Sequence, residues 1–178
     1  FTGFKGQVGS VQDLAGDDGA DWIGYTPPGA GAVPESVSDK LAQTVSVKDF
    51  GAVGDGVIDD TVFIQNAIDY AENGVNTVFF PAGIYKTTAS LTVNRSVNLI
   101  GAGAPCTTIK PTSALTAPCI LYGVQGDTPR PGSTACEISG LTLDGSDTVD
   151  SAADGLRIWC GHLEICLLYT SDAADDTP

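Results

Sequence analysis

Three glycines, Gly51, Gly54 and Gly56, stand close together after the alternating run Val45-Ser46-Val47-Lys48 and before Asp59-Asp60-Thr61. Val45 and Val47 share one face and Ser46 and Lys48 the other, the period-two pattern of a half-buried strand. The glycines admit turn conformations closed to residues with a Cβ. Asp59, Asp60 and Thr61 carry short oxygen-bearing side chains that accept bonds from the free N–H groups opening a helix. The stretch therefore reads as strand, glycine turn, helix start.

A helix is predicted from Asp60 to Asn73. Ile64, Ala67, Ile68 and Ala71 fall at i, i+3, i+4 and i+7 and form one apolar stripe, while Gln65, Asn66, Asp69 and Glu72 lie on other faces. Gly74 is placed to close it in the C′ position. Beyond it come short apolar or alternating runs at Thr77–Phe80, Ile84–Thr87, Leu91–Val93, Val97–Ile100, Thr107–Ile109, Cys119–Tyr122, Cys136–Leu143, Gly155–Trp159 and Leu163–Ile165. Gly, Pro, Asp and Ser clusters break the chain between them. Short strands at near-regular intervals, without helical patterns between, predict a coiled solenoid in which each coil buries its neighbour's face. Gly140 interrupts the alternation of Ile138, Leu141 and Leu143, as at a bend between two sheets.

Residues 1–44 read as a leader rich in Gly, Asp, Ser and Pro, with no periodic segment long enough to bury a face. A short helix is expected after Pro34, since Pro suits a first helical position and Val37 and Leu41 make an i,i+4 apolar pair. The net charge of −14 argues against nucleic-acid and anionic-membrane partners, which need clustered Lys and Arg. No apolar run is long enough to span a bilayer and no signal peptide is visible. Five cysteines, Cys106, Cys119, Cys136, Cys160 and Cys166, show neither C-x-x-C nor zinc spacing, and their odd count favours reduced, buried thiols. His162 is the sole histidine. The chain starts at Phe1 and holds no methionine, so the expectation is a piece of a longer protein.

The run VSVKDFGAVGDGVIDDT, the helix after it and TVFFPAGIYK together resemble the N-terminal start of the pectate-lyase-like (pectin-lyase, rhamnogalacturonase/epimerase-like) right-handed parallel β-helix, in the version found in bacteriophage tailspikes. The resemblance is specific from Val45 to Ile109 and thins to a repeat texture up to Ile165. It implies an all-β fold, a single-stranded right-handed parallel β-helix over residues 45–165, truncated, with residues 60–73 as an amphipathic capping helix. GADWIGYTPPGAGAV in the leader is similar to the segment preceding the β-helix in tailspikes, with Trp22 where an aliphatic residue is more usual. This implies virion attachment through residues 1–44 to other tail proteins, a homotrimer, and location in the phage tail, or secretion for a free bacterial enzyme. The implied partner is host cell-surface polysaccharide, and the implied activity of the complete protein is glycan depolymerisation by hydrolysis or elimination, with the active site beyond this piece; the alternatives are a secreted bacterial polysaccharide lyase, hydrolase or epimerase of the same fold and a non-catalytic structural spike module. Alginate C5-epimerases share the KDFGA-GDG start, but their Tyr-Gly-Phe-Asp-Pro-His stretch is not present, nor are the Asn-Thr-Asp, Asp-Asp and Gly-His-Gly motifs of polygalacturonases. From Cys166, CLLYTSDAADD resembles translated sequencing adapter, so residues 166–178 are read as a non-native tail in which Tyr169 and the acidic residues carry no functional weight.

The residues themselves offer little chemistry. GAVGDG before a helix superficially matches a phosphate-binding turn, but Asp55, Asp59 and Asp60 would repel phosphate there. Leu99-Ile100-Gly101-Ala102-Gly103 ends a strand, yet Pro105 and another strand follow where a nucleotide fold needs a helix. Asp55, Asp59 and Asp60 have the oxygen ligands calcium takes, although turn and cap roles account for all three. Asn94-Arg95-Ser96 fits the glycosylation sequon. Glycan cleavage needs two carboxylates flanking the scissile bond, and elimination needs a base with a cation for the enolate. Asp144, Asp147, Asp150 and Asp154 lie on loops beside predicted strands, with Asp144-Gly145 and Asp154-Gly155 as ordinary turn dipeptides; Arg157 and His162 have no further support. No catalytic residue is assigned, and neither a metal nor a cofactor is expected.

Overall fold

The structure is a computed structural model that describes residues 19–112, 117–122, 136–145, 155–158, 163–166 and 169–171. The chain divides into two units, Phe1–Thr44 and Val45–Pro178. In the first, α1 (Gly19–Trp22) leads to β1 (Gly24–Tyr25), which pairs antiparallel with β2 (Glu35–Ser36), followed by α2 (Val37–Leu41). Pro34 does not open α2. Ser36 caps it instead, its hydroxyl accepting the Asp39 N–H at 2.9 Å, because a hydroxyl satisfies a free helix-end donor that Pro merely lacks. Among the described residues of this unit only Gly19 is buried, and Ile23, Tyr25, Val33 and Leu41 are exposed.

In the second unit every pairing is parallel, and strands join their counterparts one coil away. One sheet runs β3 (Val45–Ser46), β5 (Thr77–Phe80), β8 (Asn98–Gly101), β11 (Cys136–Ser139) and β14 (Leu163–Cys166). A second runs β4 (Asp55–Asp59), β6 (Gly83–Thr87), β9 (Thr107–Pro111), β12 (Thr142–Asp144) and β15 (Tyr169–Ser171). The third holds β7 (Leu91–Val93), β10 (Ile120–Tyr122) and β13 (Leu156–Ile158). This is a parallel β-helix with three walls. Its interior is built from columns in strict register: Val45, Val78, Leu99 and Ile138 on one wall, Tyr85, Ile109 and Leu143 on the next, Leu91 and Ile120 on the third. All of these are buried, and full burial of each large apolar side chain contributes roughly 1.5–3 kcal/mol. Cys119 and Cys136 are buried in this interior, whereas Cys106 is exposed.

The first coil departs from the sequence expectation in four ways. The strand from Val45 stops at Ser46, and Val47–Phe50 form a 3-10 turn. The Ser46 hydroxyl accepts the Lys48 N–H at 3.2 Å while the Asp49 carboxylate accepts the Ser46 N–H at 2.9 Å, a reciprocal cap that bends the chain although Val45 and Val47 both stay buried. Second, β4 stands where only a turn was expected: Gly51, Gly54 and Gly56 all have positive φ, yet Asp55–Asp59 pair with β6 around a register shift. Third, the helix α3 spans Thr61–Ala71, two residues short of Asn73, because after the last i→i−4 bond from Glu72 the Asn73 and Gly74 amides turn back onto the Tyr70 and Ala71 carbonyls three residues before them. Fourth, Gly74 is not its C′ residue; Glu72 is a right-handed cap, and Gly74, at φ +138°, belongs to the turn that returns to β5. The apolar stripe holds: Ile64, Ala67, Ile68 and Ala71 are fully buried.

Sheet order also fixes what α3 replaces. β3 and β4 supply two walls of the first coil, and the third wall begins only at β7. α3 lies between β4 and β5 and packs along β7, taking the place of that coil's missing strand. The bend at Gly140 joins β11 to β12: Gly140 has φ +63°, and a Cβ on Gly101 would meet the Gly140 carbonyl oxygen at 2.0 Å. Tyr169–Ser171, inside the segment read as adapter-derived, pair in register with Thr142–Asp144.

Candidate functional site

The three aspartates of the first coil bind their own chain. Asp60 is fully buried, and its two carboxylate oxygens accept the Val53 N–H at 2.6 Å and the Gly54 N–H at 2.9 Å. It stands at the N-cap of α3 without a side-chain cap bond. Asp59 performs that task, with Oδ1 accepting from the Thr61 N–H at 3.0 Å and hydroxyl at 2.5 Å, and Oδ2 from the Thr88 hydroxyl at 2.6 Å. Partial burial works to raise the Asp59 pKa, but the Thr61 and Thr88 bonds outweigh it and leave the carboxyl below its ordinary value. Asp55 accepts the Ile58 and Val57 N–H groups, which hold its carboxyl low as well. Each carboxylate thus faces a different set of donors. Among the described residues no group of three or more His, Cys, Asp or Glu side chains is placed to hold a metal. The GAVGDG turn offers no phosphate cradle, because Asp60 already occupies the Val53 and Gly54 amides and the turn runs into β4.

Lys48 and Tyr85 complete this cluster. The Lys48 ammonium donates to the Val53 carbonyl and lies 5.6 Å from the Tyr85 ring centre. The Tyr85 hydroxyl donates to the Pro81 carbonyl at 2.8 Å, and burial, helped by the Asp60 charge, pushes its pKa up to about 12. The cluster ties the glycine turn to β6. It is a brace.

Of the carboxylates weighed for glycan chemistry, the structure describes Asp144, at the end of β12, with its Oδ2 3.8 Å from the Lys110 ammonium. Asp147, Asp150, Asp154 and His162 lie outside the described residues, as does the Arg157 side chain, whose backbone pairs with Leu121. Asp144 belongs to a column that sequence reasoning missed. Asp59 pairs in register with Lys86 and Lys86 with Lys110, on strands about 4.8 Å apart. Asp59, Lys86, Lys110 and Asp144 therefore alternate with the inward Tyr85, Ile109 and Leu143 and run up the outside of one wall. The Lys86 ammonium donates to the Val57 carbonyl at 3.1 Å. The signal was present in the matched triplets Tyr85-Lys86-Thr87 and Ile109-Lys110-Pro111, each with an inward apolar residue followed by an outward lysine. Such a column can hydrogen-bond sugar hydroxyls along the coil axis. Within the column, Asp144 has the Lys110 ammonium beside it. Asn94 of the glycosylation sequon is exposed between β7 and β8, and its N–H donates to Glu72 at 2.6 Å.

The comparisons with known proteins agree with this architecture. The model of the family described as rhamnogalacturonase A/epimerase, pectate lyase-like, matches residues 44–134. Mannuronan C5-epimerase AlgE1 of Azotobacter vinelandii is 39% identical over 119 residues, covering 62% of this chain and 8% of the epimerase. A capsule K30/K69-specific depolymerase of Klebsiella phage K64-1 is 35% identical over 91 residues, 51% of this chain and 11% of that protein. The solved structure of ORF18 of Geobacillus virus E2 is 27% identical with a TM-score of 0.53, covering 86% of this chain and 32% of that one. The chain thus spans a small part of the length of the curated relatives it matches. A match over half the chain, on the segment whose coils and capping helix are described above, makes this protein a member of the rhamnogalacturonase A/epimerase, pectate lyase-like family, folded as the N-terminal part of its right-handed parallel β-helix.

Proposed function

We propose that the complete protein is a phage tailspike that binds host surface polysaccharide along the flank of its β-helix and depolymerises it. The observation that carries this is the 35% identity to a phage capsule depolymerase, which a viral protein's structural match over 86% of the chain supports. The chain contributes the leader, the capped first coil and the coils next to it. The leader joins the spike to other tail proteins, and three copies assemble side by side as a homotrimer; the leader's exposed Ile23, Tyr25, Val33 and Leu41 suit such contacts. Hydrolytic or lytic residues belong to coils beyond those described, or to the seams between copies.

The test is a panel of capsular and lipopolysaccharide glycans treated with the complete protein, read as new reducing ends and as absorbance of unsaturated uronate. Release from one glycan type is expected from the complete protein and none from residues 1–178. Binding without release would overturn depolymerisation and leave an adhesive spike. The 39% identity to a mannuronan epimerase favours a second reading, a secreted bacterial enzyme of the same fold. That reading predicts altered uronate composition in alginate without chain scission.

A further inference from the structure

Apolar side chains are not left exposed evenly along the second unit. Among its described residues, the large ones that stay exposed are Val53, Val57, Ile58, Val62, Tyr70 and Ile84, all in the first coil or on β6. Tyr70 has a ring partner in Phe50, with centroids 5.7 Å apart. The other five lie on β4, just before or after it along the chain, or on the paired strand β6. Val57 is 72% exposed. Ile84 packs over Gly56, where an added Cβ would meet its side chain at 3.2 Å.

The patch ends where the later coils begin. Ile84 pairs in register with Thr108 and Thr108 with Thr142, so this outward column changes from isoleucine to threonine after β6. Threonine keeps the β-branched shape that suits a strand. The pleat itself therefore does not call for an apolar residue at 84.

Area, charge and backbone bonding together indicate what covers the patch. Its five side chains offer on the order of 400 Å² of apolar surface, close to the apolar part of one partner's share of a standard interface, about 450 Å². Lys48, which donates to the Val53 carbonyl, and Lys86, which donates to the Val57 carbonyl, balance Asp55 and Asp59 around it. In a chain of net charge −14 this neutral region lets two acidic copies meet with little repulsion. The Val57 and Ile58 N–H groups are held by Asp55 at 2.8 and 2.9 Å, and the Val57 carbonyl by Lys86 at 3.1 Å. An extended segment would find no ladder to join in the middle of β4. The patch suits a folded partner that meets it through side chains, and a second copy brings the same neutral, apolar face.

We infer that Val57, Ile58 and Ile84, flanked by Val53 and Val62, form a contact between copies of this chain at the N-terminal end of the second wall. The inference rests on the side-by-side assembly proposed above and assigns it a face. Lys110 and Asp144 follow Lys86 in the outward column. That column then begins at the seam between copies, which places its glycan-facing groups next to the contact.

The test is the mass of the full chain by light scattering across a range of concentrations. The wild-type chain is expected to assemble. Val57→Thr, Ile58→Thr and Ile84→Thr combined should raise the concentration at which it dissociates by about a hundredfold, with an unchanged circular dichroism spectrum. Val57→Lys alone leaves β6 untouched and should shift dissociation in the same direction, so misfolding of the triple variant would not leave the contact undecided. Wild-type mass in both patch variants would overturn the inference while the assembly stands, and dissociation by Val33→Thr with Leu41→Thr instead would move the contact to the leader. A wild-type chain that stays monomeric at every concentration would overturn the inference and the assembly together. Glycan release by the complete protein is a separate readout, so a failure of depolymerisation is not confused with either result.

Discussion

At the residue scale the decisive group is Asp60. Its neighbour Asp59 is the exposed carboxylate that caps α3, while Asp60 turns inward and holds the glycine turn by two backbone N–H groups. Asp60→Ala would leave both part-buried donors without their acceptor, at a cost of about 2 kcal/mol. Asp60→Asn keeps one acceptor oxygen and should lose about half as much. Urea midpoints of the two variants check the order, and an Asp60→Ala midpoint equal to wild type would show that the turn holds by itself. Tyr85 and Cys119 set the alkaline limit. Burial raises the Tyr85 phenol from 10.0 to about 12, with help from Asp60, and raises the Cys119 thiol from 9.0 to about 11 against an opposing bond from Thr87. The native state keeps both protons longer than the unfolded chain does. Their contribution is therefore complete below about pH 9 and is lost as pH climbs through about 11 and then 12. The urea midpoint should fall across that window, and Tyr85→Phe should flatten its upper part; an equally steep fall in the variant would assign the loss to other groups.

At the element scale the strands were legible and their partners were not. Thr77–Phe80 and Leu91–Val93 have the bounds expected from alternation, because inward Val78, Phe80, Leu91 and Val93 are separated by single outward residues. β4 was hidden because Gly56 and two exposed apolar residues, Val57 and Ile58, break the alternation, and the strand is held by pairing to β6 at its two ends. The apolar stripe of α3 was equally plain, but its polar face carried the less obvious information. That Gln65 meets Thr92 depends on where the third wall starts, which no local period encodes. The corner glycines are a similar case: Gly140 was readable as a bend, whereas the need for glycine at position 101 arises across coils. Gly101→Ala would drive a Cβ to 2.0 Å from the Gly140 carbonyl oxygen and 2.6 Å from Leu141. Since backbone must move, a cost of about 3 kcal/mol is expected, visible as a lower thermal midpoint. Gly103→Ala is the complementary case: nothing lies within 4 Å of its Cβ, but its φ of +143° disfavours a side chain, whereas Gly101 has the contact without a positive φ. A Gly101→Ala midpoint equal to wild type would show that the corner yields without cost.

At the scale of the whole molecule, a solenoid draws its stability from each coil and its neighbours, so an end must be closed by residues of its own. Here the Ser46–Asp49 cap, the Asp60 clamp and α3 serve that closure, and all are C-terminal to Thr44. Among the described residues of the first unit there is no comparable core, since the apolar side chains there are exposed or half-buried, and Ala42, Gln43 and Thr44 before the boundary are exposed. A protease at low concentration should therefore cut first near residues 42–44. A chain beginning at Val45 should unfold at the same urea midpoint as the full chain, within about 0.5 kcal/mol. Residues 1–44 alone, below the length at which a chain usually sustains a core of its own, should show no cooperative transition. A midpoint lowered well beyond that margin in the truncated chain would mean that the leader supports the first coil. An unchanged midpoint would leave the leader's exposed apolar residues without a stabilising task inside this chain, which is the condition a docking segment must meet.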